Sequence, residues 1–240
     1  MWNYVMKLQL KFPAESIQRC RHGDSNCLVG VLNKLLKTSS KGIPSLGIGP
    51  LDPLSFEDLR SHIEVPLKVD FTISNSKLVG IQNGVITDVV SNENTFKKIK
   101  FFSGFGKDPK TSQFEIHGLF PLLTSFGDVS YSATLFSREF KQQDSFMHTI
   151  RDSKFKIRLL CYTQVVNEKV YLIVKQTIYE STVSSSLMSI KNPLLQAIAN
   201  GASGQVALKN ISDASLSRAL QDIVVKVFHR FPYNDLFINN

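Results

Sequence analysis

The amino-acid sequence predicts an α+β protein, in which a short amino-terminal helix precedes a long antiparallel sheet and a carboxy-terminal helix. Three observations predict this order. Apolar residues recur at helical spacing near residue 30, alternating apolar and polar runs fill the middle of the chain, and a wide apolar helical stripe lies near its end. With 240 residues, 42% of them hydrophobic, the chain can bury a large core in one domain.

The first helix is predicted to begin at Asp24 or Ser25 and to end before Gly42. Either polar side chain can accept a hydrogen bond from the unpaired backbone N–H groups of a first helical turn. The apolar residues that follow share one face of the helix: Leu28, Val31, Leu32, Leu35 and Leu36. Segment 42–53 is punctuated by proline and glycine, so it is predicted to leave the helix and run extended across the surface.

The middle of the chain is predicted to form one large antiparallel sheet. Apolar and polar residues alternate strictly in the first predicted strand, which is typical of a strand with one buried face. The apolar side chains on that face are Val65, Leu67, Val69, Phe71 and Ile73. Further runs of strand character occupy residues 78–81, 85–90, 96–102, 114–123, 129–136, 155–166 and 170–181. Turn signals at 83–84, 106–109 and 167–168 predict a meander with hairpins. The serine-rich segment 181–189 is predicted to connect the sheet with the final helix.

The final helix is predicted from Asp213 or Ser215 to about Phe231, and Pro232 ends it. Its apolar residues form a stripe wide enough to cover a sheet: Leu216, Leu220, Ile223, Val224, Val227, Phe228 and Phe231. Such a helix after a long meander fits a curved sheet wrapped around it, and it also fits a helix packed on a flat sheet. Periodicity alone leaves both arrangements open.

The net charge is positive, because 28 Lys and Arg residues outnumber 20 Asp and Glu residues by 8. The positive residues are spread along the chain without a nucleic-acid recognition motif, so no nucleic-acid partner is predicted. Lys154, Lys156 and Arg158 alternate with apolar residues, which predicts one solvated face of a strand. Transient contact with an anionic membrane surface remains open.

Three cysteines constrain the chemistry of the chain. The spacing of Cys20 and Cys27 is too wide for a C-x-x-C redox or zinc motif. It favours a local disulfide, and two buried thiols are the alternative. Cys161 lies in a strand-like apolar run and is predicted to be a buried free thiol.

Motifs of catalysis are missing from the sequence. It contains no G-x-S-x-G, no H-E-x-x-H and no P-loop, and Gly47-Ile48-Gly49 lacks the third glycine and the helix of a dinucleotide fingerprint. The histidines do not show metal-ligand spacing: His22, His62, His117, His148 and His229. The sequence therefore predicts a protein that is not an enzyme and that carries neither a metal nor a cofactor.

Two segments resemble the insect takeout and juvenile hormone-binding protein family. The first, 12–54, contains Cys20, Gly23-Asp24-Ser25, Cys27, Gly42-Ile43-Pro44 and Leu51-Asp52-Pro53-Leu54, and the second is the closing segment 227–237. The resemblance implies one tubular lipid-binding domain over residues 12–240, with 1–11 as an uncertain leader. In this architecture a long, highly curved antiparallel sheet wraps around one long carboxy-terminal helix and encloses an elongated apolar cavity.

The resemblance also implies a secreted carrier, here of a juvenile hormone-like terpenoid, a fatty acid or a quinone, and a monomer. Inward-facing apolar positions of the predicted elements are expected to line the cavity, each with plain core packing as the alternative: Leu28, Val31, Leu35, Ile43, Leu46, Val69, Phe71, Leu135, Leu159, Val224 and Phe228. Tyr131 and Tyr162 are the candidates to bind the oxygen atoms of the ligand. The first helix and segment 42–53 are the expected gate.

Secretion and function each leave an alternative. Residues 1–11 lack the apolar run of a signal peptide, so we expect either an incomplete or wrongly started amino terminus or a protein that stays inside the cell. The predicted disulfide favours extracellular localisation. The alternative functions are a membrane-surface lipid-transfer or anionic-lipid sensing protein without hormone specificity, and a protein-binding module.

Overall fold

One long antiparallel sheet and one long helix organise the chain, which confirms the predicted fold class. A computed structural model describes residues 18–21, 23–56, 58–63, 69–93, 111–135 and 138–238. The predicted run 96–102, the predicted turn 106–109, and Val65 and Leu67 lie outside the described residues. The elements in chain order are β1 (Cys20–Arg21), α1 (Ser25–Thr38), β2 (Leu54–Ser55), β3 (Leu59–Ile63), β4 (Val69–Val79), β5 (Val85–Glu93), β6 (Thr111–Leu135), β7 (Arg138–Val166), β8 (Lys169–Thr182), β9 (Ser185–Ile190), α2 (Pro193–Asn200), α3 (Ala202–Arg230), α4 (Tyr233–Leu236) and β10 (Phe237–Ile238).

The sheet is built on β6 and β7, which pair with each other along their whole lengths. The first half of β6 pairs with β5 and its second half with β4, while β7 pairs with β9 and then with β8. β3 pairs with β4. The sheet therefore has two halves, which share only the two long central strands.

Several predicted boundaries in the sheet are wrong, and irregular backbone explains why. The run 114–123 and the described part of the run 129–136, residues 129–135, belong to one strand, β6, and β7 begins well before residue 155. In β4 the register shifts beside Asn75, which has φ 51°. Ile73 faces inward before the shift, and Ser76 and Leu78 face inward after it, so the simple alternation is broken. The turn at 83–84 joins strands that lie end to end on β6, and it does not form a hairpin. Part of the predicted connection 181–189 is strand β9.

The long helix α3 has 29 residues and starts well before the predicted Asp213 or Ser215. Gly201 is its N-cap, so both predicted caps lie in the helix interior. Its first half is rich in small and polar residues, which concealed the helical period. The helix ends before Pro232 as predicted. The preceding helix α2 was not predicted, and the Asn192 side chain caps it by accepting hydrogen bonds from the backbone N–H groups of Leu194 and Leu195.

The buried apolar residues in the described part of the chain form two clusters. The first cluster lies between α1, α3, α4 and the half of the sheet that contains β5 and β8, and Phe120, Leu159, Leu172 and Leu216 are among its buried residues. The second lies between α2, α3 and the half that contains β4 and β9. Its buried residues are Val69, Ile73, Val129, Tyr131, Phe146, Met188, Ile190, Leu195 and Leu208.

The amino-terminal helix is fixed at its start and at its middle. A disulfide joins Cys20 and Cys27, and Cys161 is free and buried, as predicted. The Asp24 carboxylate caps α1 by accepting a hydrogen bond from the backbone N–H of Cys27, 3.0 Å away. On the side facing the sheet, the Asn33 amide donates to the Ile86 carbonyl and accepts from its N–H. These contacts hold α1 against β5.

We predict that replacing Gly80 destabilises the fold strongly. Gly80 has φ +101°, and a Cβ atom there would lie 2.3 Å from the Leu122 carbonyl oxygen. Gly80→Ala should lower the free energy of unfolding by about 3 kcal/mol, because both backbone strain and a close contact oppose the methyl group. Gly23 is the matched control: it has φ +88° with open space around it, so Gly23→Ala should cost about 1 kcal/mol. Urea denaturation measures both, and equal losses would contradict the close packing of Gly80 on β6.

Candidate functional site

The candidate site is the space between α3 and the inner face of the sheet, where the packing leaves several small cavities. The first cavity has a volume of about 30 Å³ and lies between the two core clusters. It is lined by Phe56, Leu59, Ile73, Ser76, Leu78, Leu123, Ser125, Phe146, His148, Ile150, Leu208, Ile211, Ser212, Ser215 and Leu216.

The second cavity, also of about 30 Å³, lies inside the second core cluster and is almost wholly apolar. Its lining is Val69, Phe71, Val129, Tyr131, Met188, Ile190, Leu195, Ile198, Ala199, Gly204 and Leu208. Leu208, which is 3% exposed, belongs to the linings of both cavities. The two cavities are therefore neighbours along α3, and one side chain lies between them.

Three buried polar side chains line the first cavity: Ser76 from β4, His148 from β7 and Ser215 from α3. We call them the polar band. Among the described residues, the hydroxyl oxygens of Ser76 and Ser215 have no hydrogen-bond partner. The His148 ring places Nε2 2.6 Å from the Ser186 hydroxyl oxygen, and burial lowers the pKa of His148 from 6.5 to about 4. The imidazole is therefore neutral at physiological pH.

An open groove of about 420 Å³ lies beside the first cavity, between segment 48–59 and α3. Phe56, Leu59 and Ser215 line both the groove and the cavity, so they form the wall between them. The Lys226 ammonium ties the segment to α3 by donating to the Gly47 carbonyl, 3.0 Å away.

Of the predicted ligand-binding residues, Val69, Phe71 and Tyr131 line a cavity, and all three face the second one. The Tyr131 hydroxyl donates to the Gln142 side-chain oxygen at 2.6 Å and accepts from the Asn192 amide. Burial raises the pKa of Tyr131.

The other predicted residues with described side chains line neither cavity. Leu159 is buried in the first core cluster, and Leu28, Val224 and Phe228 pack against that cluster. The remaining ones with described side chains are half-buried: Val31 and Leu35 on α1, Ile43 and Leu46 in segment 42–53, and Tyr162 on β7. Leu135 ends β6, and its side chain lies outside the described part of the chain.

Sequence analysis missed the polar band and Leu208. Phe146, His148 and Ile150 alternate on the inner face of β7, so this pattern could have shown a histidine facing the helix. Leu208 lies in the half of α3 that was not predicted. Ser76 could not be placed from a simple alternation, because the register shift after Ser74 changes which face it occupies.

The predicted solvated face of β7 is confirmed, and much of its charge is paired. Phe155, Ile157 and Leu159 are buried, while Lys154, Lys156 and Arg158 alternate with them on the other face. The Lys156 ammonium lies 2.7 Å from a Glu115 carboxylate oxygen, and the hydrogen bond between them lowers the pKa of Glu115. The Arg158 guanidinium lies 2.6 Å from a Glu180 oxygen.

The described side chains and helices place two further limits on the function of the site. Within the described ranges, His, Cys, Asp and Glu side chains form no group of three or more that could hold a metal ion. None of the helices in the described part of the chain is both long and apolar enough to cross a membrane.

The architecture is similar to that of Epiphyas postvittana Takeout 1. The match has a TM-score of 0.69 and 15% sequence identity, and it covers 93% of this chain and 100% of that one. A lipopolysaccharide binding protein also matches, with a TM-score of 0.41, 11% identity and coverage of 82% of this chain and 36% of that one. The likeness to Takeout 1 shows the fold, a long antiparallel sheet packed against a long carboxy-terminal helix.

The family follows from the sequence itself. The profile of the family described as haemolymph juvenile hormone binding protein matches residues 4–238. This chain belongs to that family, which confirms the resemblance seen in its first and last segments. The family is one of binding proteins, in agreement with the prediction that the chain is not an enzyme. No curated protein sequence matches the chain significantly.

We predict that His148 makes the stability of the protein fall in acid. Because its folded pKa of about 4 lies below the unfolded value of 6.5, the unfolded state binds a proton more readily between these values. Stability is therefore full above about pH 6.5 and decreases as the pH falls toward 4. The loss between pH 7 and pH 5 should be about 2 kcal/mol.

The control variant His148→Gln keeps a hydrogen-bonding side chain but does not titrate. Urea denaturation gives the free energy of unfolding of both proteins at pH 7 and pH 5. Its decrease between these pH values should be smaller by about 2 kcal/mol in the variant. The same pH dependence in both proteins would contradict a neutral, buried His148.

Proposed function

We propose that this protein is a carrier that reversibly binds one hydrophobic small molecule between α3 and the inner face of the sheet, without transforming it. The observation that carries the proposal is the pair of cavities that meet at Leu208. The family description supports an apolar small molecule as the ligand. We propose a juvenile hormone-like terpenoid, a fatty acid or a quinone, of roughly 15 to 25 carbons.

Binding of such a ligand requires the core to open. Pockets for small molecules have volumes of roughly 300 to 1,000 Å³. Each cavity of about 30 Å³ has room for little more than water. The ligand must therefore separate α3 from the sheet along the line that joins the cavities, with Leu208 displaced.

The groove between segment 48–59 and α3 is the access route that we propose. Among the described residues, Phe56, Leu59 and Ser215 line both this groove and the first cavity, and the first two lie beside or in the short strands β2 and β3, which pair only with β4. Such segments open at lower free energy than the central strands of a sheet. Helix α1 covers the first core cluster and is the second element that we expect to move.

Buried area alone gives only modest affinity. Burying about 400 Å² of hydrocarbon contributes about 10 kcal/mol at about 25 cal/mol per Å². Immobilising the ligand costs at least about 4 kcal/mol, which leaves about 6 kcal/mol and a Kd of tens of micromolar. Tighter binding requires specific polar contacts or a cavity that opens at low cost.

We further propose that the carrier is extracellular and monomeric. The Cys20–Cys27 disulfide supports an oxidising compartment, and the family description names the haemolymph.

Anionic-lipid sensing is the alternative function, and it depends on the net charge. Lys156 and Arg158 already have carboxylate partners, which reduces the charge available on that face of β7. Flotation with neutral liposomes and with liposomes containing phosphatidylserine distinguishes the two functions. Flotation that depends on phosphatidylserine, without binding of an apolar probe, would favour the alternative.

We predict that Leu208→Phe weakens ligand binding by at least about tenfold. The larger ring fills the space between the two cavities, which a ligand must cross. The affinity is measured by titration with an apolar fluorescent probe such as N-phenyl-1-naphthylamine, and circular dichroism verifies that the variant is folded.

Val206→Phe is the matched control, because Val206 lies on the same helix with 61% of its surface exposed. This control should bind the probe like the parent protein. Equal affinity of the Leu208 variant and the parent would remove the cavities from the binding site. No probe binding by the parent would contradict the carrier function itself.

A further inference from the structure

The polar band interrupts the apolar interior at one level. Above and below it lie the two apolar core clusters, and the first cavity contains residues of both, such as Leu216 and Phe146. At this level the described lining contains Ser76, His148 and Ser215, which are 2%, 3% and 7% exposed. Three elements, β4, β7 and α3, contribute one buried polar side chain each, and the half-buried Ser125 and Ser212 also line the cavity.

Two of these side chains have unused hydrogen-bonding capacity. The hydroxyl oxygens of Ser76 and Ser215 are buried without a partner, although a buried polar group is normally paired. A hydroxyl group can donate one hydrogen bond, and its rotation lets the proton point into the cavity. An acceptor atom placed in the cavity can therefore receive two hydrogen bonds that the protein itself leaves unmade.

The chemistry around the hydroxyl groups favours an uncharged acceptor. The described lining of the first cavity contains no Lys, Arg, Asp or Glu. His148 is neutral there, because burial lowers its pKa to about 4. Lys209 and Asp213 line a smaller neighbouring cavity and form an ion pair with each other. A carboxylate would thus lose its hydration without meeting a free cation among these residues.

We propose that the polar band is a subsite for an uncharged oxygen atom in the middle of the ligand, such as a ketone, ester or ether oxygen. Ser76 and Ser215 donate to this oxygen, and the apolar arms of the ligand extend into the two core clusters on either side. The inference rests on the proposed carrier function and adds the position and the chemical class of the polar group. It separates such ligands from fatty acids, whose polar group is a charged chain end.

The test uses three ligands of equal length: pentadecane, its ketone with the carbonyl at the central carbon, and the isomeric ketone with the carbonyl next to the chain end. Each displaces N-phenyl-1-naphthylamine from the intact protein. The two ketones have the same composition, so any difference between them reports the position of the oxygen. The parent protein should bind the central ketone about tenfold more tightly than its isomer.

The double variant Ser76→Ala and Ser215→Ala should lose this preference and bind pentadecane at least as well as the parent. It should also melt at the same or a higher temperature, because unpaired hydroxyl groups do not stabilise the fold. Ser74→Ala with Ser217→Ala is the matched control on the same two elements. Neither of these serines lines the cavity, so the preference should persist.

The outcomes separate the subsite from the carrier function. Equal affinity of the parent for both ketones would overturn the subsite and leave the carrier function in place. A preference that persists in the Ser76 and Ser215 variant would also overturn the subsite. A lower melting temperature of that variant, without any ketone preference in the parent, would show that the hydroxyl groups hold a structural water. If the probe does not bind, so that no ligand can displace it, the carrier function is overturned.

Discussion

The pairing of β6 with β7 is the constraint on which the rest of the structure depends. These strands stay in register from Thr111 opposite Tyr162 to Leu135 opposite Arg138. Each is long enough to pair with two shorter strands in succession, which divides the sheet into two halves. Since side chains alternate between the faces of a strand, this register decides which residues of both halves face the helix.

A single helix, α3, must therefore pack against both halves of the sheet, and its sequence reflects this. Leu208 packs in the second core cluster and Leu216 in the first, with Ser212 and Ser215 on the lining between them. A continuous apolar stripe would have joined the clusters into one solid core. The serines instead lie beside a cavity, and among the described residues the Ser215 hydroxyl has no partner, so the interior is less well packed where a ligand is proposed to pass.

The sequence predicted those features that depend on local periodicity. The Asp24 cap of α1, the alternation of Phe155, Ile157 and Leu159, and the end of α3 before Pro232 were all predicted from short patterns. The resemblance supplied the curvature of the sheet, which periodicity left open. The predictions that failed concern features that depend on contacts between distant segments. These features are the register shift beside Asn75 and the polar first half of α3. The polar band depends on both, because Ser76 and Ser215 face the same cavity only after these contacts form.

Reversible binding of one apolar molecule inside the protein is the central claim, and native mass spectrometry of the purified protein tests it most directly. We expect one small molecule per chain, lost after organic extraction and recovered unchanged when the extract is returned. If the protein has the mass of the bare chain before extraction, and gains no mass when incubated with terpenoid, fatty acid and quinone ligands, the account is contradicted.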